Sequence, residues 1–282
     1  MSESTFDEYL RQWREANPQR ALAWLFLRHD ERICYGALAA LVHEWRKTMR
    51  DVREVQVAAA KLGWWREEMQ RALQGQPRHP LAQALFADAR ANAVSLRYWI
   101  APIDAALSAL AQTPPADFAA QFDAAAPFAN AVAVLETRVW FGAGIESPRA
   151  SRVAAFAQLT ANTRALTAEI GHGRSPLPMN LLARHGLTIE SLAGDGAHRR
   201  AALRDYVAEL QRGLSEAIRM PGPLTLFRTV ELQDDLAALG RAMRADEPLA
   251  ALREPMHGLG NVLKTWRAAR TWRATERIGY GP

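Results

Sequence analysis

Four oxygen-bearing side chains lie close together in HEWRKTMRDVREV, residues 43–55. Glu44, Thr48 and Asp51 share one helix face by three-and-four spacing, and Glu54 follows Asp51 by three. Carboxylates on one face could hold Mg²⁺, a hard ion that takes oxygen ligands. The same run also reads as a solvated face, its acids paired with Arg46, Lys47, Arg50 and Arg53. A second stretch, FAQLTANTRALTAEIGHGRSPLPMNLLARHGL from Phe156 to Leu187, puts Gln158, Asn162, Ala165 and Glu169 on one face. Arg164 and Arg174 could reach an anion from that helix and from the loop after it, because a guanidinium pairs with phosphate through parallel hydrogen bonds. Gly171 and Gly173 permit a tight helix exit; without a ligand this is a polar helix with a glycine cap.

A third stretch, KLGWWREEMQRALQGQPRHP from Lys61 to Pro80, has Leu62, Trp65, Met69 and Leu73 as a buried stripe. Lys61, Arg66, Glu67 and Glu68 are expected around it at the surface. Gly75 and Pro77 end the helix, and His79-Pro80 opens the next.

The elements that position these stretches are helical. Alanine, leucine, arginine and glutamate dominate long segments, strand signals are almost absent, and the fold is expected to be all-α. The breakers place helices near 5–15, 20–28, 31–51, 55–75, 80–111, 116–142, 148–170, 178–186, 197–219, 224–245 and 257–274. No Gly/Ser/Pro-rich linker divides the chain and no repeat is visible, so residues 1–282 are read as one domain. Such a bundle would build any ligand site from side chains facing its centre. Leu41, Trp65, Trp140 and Leu166 are the candidates to line and narrow that space.

Composition excludes some classes. With 49% hydrophobic and 23% charged residues and no apolar run long enough to span a bilayer, the chain reads as globular rather than membrane-spanning. The first residues, MSESTFDEYLRQWREANPQR, are polar with early acids, unlike a secretory signal or a transit peptide; a cytoplasmic location is expected. The single Cys34 cannot form an intrachain disulfide and is expected in the core. The net charge of +5 favours acidic partners such as diphosphates, anionic lipid headgroups or nucleic acid. The basic C-terminal helix NVLKTWRAARTWRATER is expected to pack on the bundle, with peripheral membrane contact as its other use and no nucleic-acid role. Glu231, Asp234 and Asp235 are read as helix-surface acids, and His172, His185 and His257 receive no role.

In their order and spacing the three stretches resemble the squalene/phytoene synthase family. The matching features are KLGWWREEM followed by GQPRHPLAQAL, then QLTANTRALTAEIGHGRSPLP followed by NLLARHGL, and the likeness covers roughly residues 20–270. It implies an isoprenoid-synthase-like helical bundle around a central cavity. Family enzymes join two isoprenoid diphosphates head to head, with two Asp-x-x-x-Asp motifs holding Mg²⁺ on the diphosphate. Here the first motif lands on Asp51 to Val55, where only the leading aspartate is matched and Glu54 lies about 100° around the helix. The second lands on Ala165 to Glu169, where only Glu169 remains. His43-Glu44, Trp64-Trp65 and Leu177-Pro178-Met179 are similar to a branch of the superfamily containing a mitochondrial complex I assembly factor, which implies a non-enzymatic role.

Two expectations follow from the resemblance. The first is a pseudoenzyme with degraded Mg²⁺-diphosphate motifs, binding an isoprenoid-like lipid or a protein partner. The second is an active prenyltransferase on farnesyl or geranylgeranyl diphosphate-type substrates, with Asp51, Glu54 and Glu169 as metal ligands and Arg164 and Arg174 on the diphosphate. The second needs Asp51 and Glu169 to meet across a cavity deep enough for a prenyl chain.

Overall fold

The computed structural model describes residues 5–52, 54–110, 113–255 and 258–279, with side chains to Arg273, and contains no strand among them. The first four helices are α1 (Thr5–Ala16), α2 (Pro18–Trp24), α3 (His29–Asp51) and α4 (Val55–Leu73). Two short pieces, α5 (Pro80–Phe86) and α6 (Ala89–Asn92), lead to α7 (Leu96–Ala109) and the long α8 (Phe118–Phe141). Then come α9 (Pro148–Arg164), α10 (Leu166–Gly171), α11 (Met179–Arg184) and a 3-10 turn at Glu190–Ala193. The last four are α12 (Ala197–Ala217), α13 (Leu226–Ala242), α14 (Pro248–Arg253) and α15 (Leu259–Gly279). Together they make one all-α domain.

Local chemistry sets these boundaries. Asp117, Ser147 and Thr225 each accept a hydrogen bond from a first-turn amide and so start α8, α9 and α13. Gly142 ends α8 at φ +109°, a value that disfavours any residue with a Cβ. The single helix expected over 80–111 is three, because the Asp88 carboxylate takes the Arg90 amide and opens a new turn. The helix expected over 148–170 breaks at Ala165, whose ψ of +14° lies off the helical value, and α10 starts after it.

Two apolar clusters form the core and share α8 and α13. Phe128, Val132 and Val139 of α8 join Phe227 of α13 in a cluster with α1 to α7 and α15. Phe122, Ala129 and Ala133 of α8 join Leu239 of α13 in a cluster with α9, α11, α12 and α14. The helices approach closely where α12 meets α9: a Cβ on Gly213 would come within 2.1 Å of the Phe156 ring. By length and composition α8 would suffice to cross a membrane, but here it is a central element packed between α7 and α9. Cys34 is buried and unpaired, in the core position expected.

α15 packs through Thr265, Ala268, Ala269 and Trp272, while Trp266 stays exposed, so the two tryptophans lie on different faces as their six-residue spacing requires. Arg273 ties the helix down by donating to the Phe26 carbonyl at 2.7 Å.

Candidate functional site

A cavity of about 1010 Å³ opens between the two clusters. Trp13 and Arg20 of the N-terminal helices, α3, Phe128 of α8, α9, α10 and the Gly173–Pro176 loop contribute to its wall.

The acids of the α3 stretch do not converge there. Thr48 is buried and its hydroxyl donates to the Glu44 carbonyl at 2.9 Å. Asp51, the last residue of α3, reaches the cavity but faces the Arg50 Nε at 3.2 Å and is largely exposed. Glu54 precedes α4 as an exposed residue outside the cavity wall, since the chain leaves the helix at Val52. Besides Asp51, α3 presents the cations Arg46, Lys47 and Arg50 to the cavity, with His43 beside them. Burial, then the charges of Arg46, Lys47 and Arg50, pull the His43 imidazole down to about 4, so it is neutral at pH 7.

The second stretch places Gln158, Asn162 and Glu169 on the cavity wall. Glu169 is nearly buried, and both its oxygens accept from Arg174, at 2.6 Å from Nε and 3.3 Å from Nη2. The same guanidinium donates to the Arg50 carbonyl at 3.2 Å, so Arg174 links the ends of the two candidate motifs. Arg164 is placed elsewhere. Its Nη1 meets Asp235 at 2.6 Å, its Nη2 meets Asp234 at 3.3 Å and its Nε donates to the Leu252 carbonyl. It therefore fastens α9 to α13 and α14 and does not face the cavity, because two carboxylates on α13 satisfy it first.

Those carboxylates correct a second expectation. Asp235 is buried, not on a solvated helix face, and burial lifts its carboxyl above the ordinary range against the pull of Arg164. Glu231 also turns inward and borders the cavity. Its Oε1 accepts from Arg20 at 2.6 Å and its Oε2 from Arg228 at 3.0 Å, while Arg228 Nε donates to Glu136 at 2.7 Å. Burial alone would raise the Glu231 carboxyl; Arg20, Arg228 and Arg46 together hold it well below the usual range.

Arg46 completes this deep group: part of its surface opens to the cavity, and among the described residues it is in ion-pair contact with no carboxylate, although Glu231 and Glu136 are near enough to act on it. The Phe128 ring lies 5.9 Å from its guanidinium carbon. Burial and the nearby Arg20 and Arg228 bring it down to about 10, still charged at pH 7. Sequence spacing gave no signal for Arg20 or Glu136; only the Arg228 to Glu231 spacing of three hinted at a pair.

The four hydrophobic candidates for the cavity wall belong to the packed core instead. Leu41 and Leu166 are fully buried, and Trp140 stacks on Tyr35 with ring centroids 3.8 Å apart. Trp65 meets the His79 ring at 4.6 Å, with Trp64 and Tyr9 against the same ring. Glu68, expected at the surface, is buried and fixes that corner by accepting from the Arg78 and His79 amides, both at 2.7 Å. The apolar part of the cavity wall comes instead from Trp13, Met49, Leu110, Phe128 and Leu159, three of which also belong to the core clusters.

The residues proposed for Mg²⁺ do not fit that ion. Mg²⁺ keeps several waters and is usually held by one or two free carboxylates together with substrate phosphates. Glu169 is taken by Arg174, Asp51 faces Arg50, and Glu54 lies outside the cavity. No cluster of three or more His, Cys, Asp or Glu able to hold a metal occurs among the described residues.

A crystal structure of a dehydrosqualene synthase in complex with ligand is similar over 96% of both chains, with a TM-score of 0.69 and 13% identity. The squalene synthase HpnC from Alicyclobacillus acidocaldarius is similar over 95% of this chain and 94% of its own, with a TM-score of 0.60 and 17% identity. No curated protein matches the sequence significantly. The family model of squalene/phytoene synthases matches residues 13–224, well over half of the sequence, and the chain belongs to that family.

Proposed function

We propose that this chain is a binding member of its family, holding an isoprenoid-like lipid with an anionic head in the central cavity and not carrying out metal-dependent head-to-head condensation. One observation carries the reading. The two carboxylates at the matched motif positions, Asp51 and Glu169, each face an arginine, and the α3 surface between them and the cavity interior is basic. Ionisation of an allylic diphosphate requires Mg²⁺ to take up the developing charge on the leaving group, and these donors are poorly disposed to hold it. The cavity volume of about 1010 Å³ suits a long apolar tail.

A second reading, an active prenyltransferase with a reduced metal site, is favoured by the fact that Asp51 and Glu169 border the same cavity. Calorimetric titration of a non-hydrolysable farnesyl diphosphate analogue into the native, Asp51→Ala and Glu169→Ala proteins separates the two. Similar affinities in all three support a binding protein. Loss of binding in both variants, with the fold intact, would favour the enzyme.

A further inference from the structure

The deep end of the cavity holds more positive than negative charge. Among the described residues, the acids beside Arg20, Arg46 and Arg228 are Glu136 and Glu231, and the two carboxylates are used by Arg20 and Arg228. The buried Nε atoms of Arg20 and Arg46 and the Nη2 of Arg228 have no hydrogen-bond partner. An interior guanidinium without a counter-charge is costly, because desolvation is not repaid by an ion pair. Arg20 is 4% exposed and, like Arg46, borders the cavity; the occluded Nε atoms are out of a ligand's reach, but part of the Arg46 side chain is open to that space.

We infer that Arg46 and Arg20 form a metal-free seat for a phosphate or diphosphate group, on α3 and α2 beside Glu231 and not at Asp51 and Glu169. Lys47 on the same wall adds a further cation, and the Phe128 ring beside Arg46 begins the apolar surface for whatever the phosphate carries. The forked guanidinium donors match phosphoryl oxygens, and a bound anion would supply the missing counter-charge. Only the nature of the tail rests on the lipid-binding reading above; the anion seat stands on the arginines themselves.

The test is calorimetric titration of inorganic pyrophosphate, in EDTA, into the native, Arg46→Gln and Arg46→Lys proteins, with a thermal melt of each. Native protein should bind pyrophosphate without metal, Arg46→Gln should weaken it by at least roughly tenfold, and its melting temperature should not fall, since the residue removed is an uncompensated charge. Arg46→Lys keeps the charge, loses the fork and should bind at an intermediate level. No binding by native protein in EDTA, or equal binding by native and Arg46→Gln, would overturn the seat. A farnesyl diphosphate analogue run beside pyrophosphate identifies the source: tighter binding marks a lipid head, equal binding a free phosphate. If the analogue binds equally well to native and Arg46→Gln, the seat fails while the lipid reading stands; if only pyrophosphate binds, the lipid reading fails while the seat stands.

Discussion

The cavity has two charged regions, and they solve opposite problems. Where α3 and α10 end, Glu169 and Arg174 neutralise one another and Asp51 is half in solvent beside Arg50, so little charge is left for a ligand. At the deep group, Glu231 is shared by two arginines, Arg228 has a second carboxylate in Glu136, and Arg46 is left over. The residues that the sequence reading placed in the two motifs, Asp51 and Glu169, are thus paired with arginines, and the unpaired charge lies at residues outside that reading. A position inherited from a family pattern marks a place in the fold; the partners around it decide what it can bind.

The contrast can be broken most strongly at Glu231. Glu231→Ala leaves Arg20, Arg46 and Arg228 facing Glu136 alone and should destabilise the protein by about 3–5 kcal/mol in urea unfolding, the usual result of removing one partner from a buried pair.

Acid acts next, through His43. Its folded pKa of about 4 lies below the ordinary 6.5, so between these values the unfolded chain binds a proton that the folded one does not. Stability should therefore fall as pH drops from 6.5 towards 4, by on the order of 2 kcal/mol, and His43→Gln should flatten that part of a pH-melt profile. Arg46→Gln should raise the His43 pKa in an NMR titration, because Arg46 is the largest of the charges holding it down.

Smaller effects belong to the outer carboxylates. Glu169→Ala should cost about 1–2 kcal/mol by denaturant titration, because the residue is nearly buried but its partner Arg174 is well exposed. Asp51→Ala should change stability by less than about 0.5 kcal/mol, the range of a solvent-exposed pair.

Much of the fold was legible because proline, glycine and capping residues act locally: Gly142 and Ser147-Pro148 bound α8 and α9 wherever they are read from. The break at Ala165 was not, since alanine announces none, and Asp88, although a favoured capping residue, sits within a run whose periodicity reads as continuous helix. The cavity was less legible for two physical reasons. A hydrophobic side chain looks the same whether it fills a core or lines a space, so Leu41, Trp65, Trp140 and Leu166 were drawn to the wall when packing had taken them inside. The deep charges pair over great sequence distance, Arg20 with Glu231 being 211 residues apart, and no helical spacing relates them. The placement of Arg164 was lost the same way, its carboxylates lying on α13 about seventy residues on.

The most direct measurement is the affinity of the native protein for the farnesyl diphosphate analogue in EDTA and again in excess Mg²⁺. Binding by arginines predicts the same affinity in both, within about twofold, and weakening at high salt. Binding that appears only with Mg²⁺ would contradict the account and return Asp51 and Glu169 to the role of metal ligands.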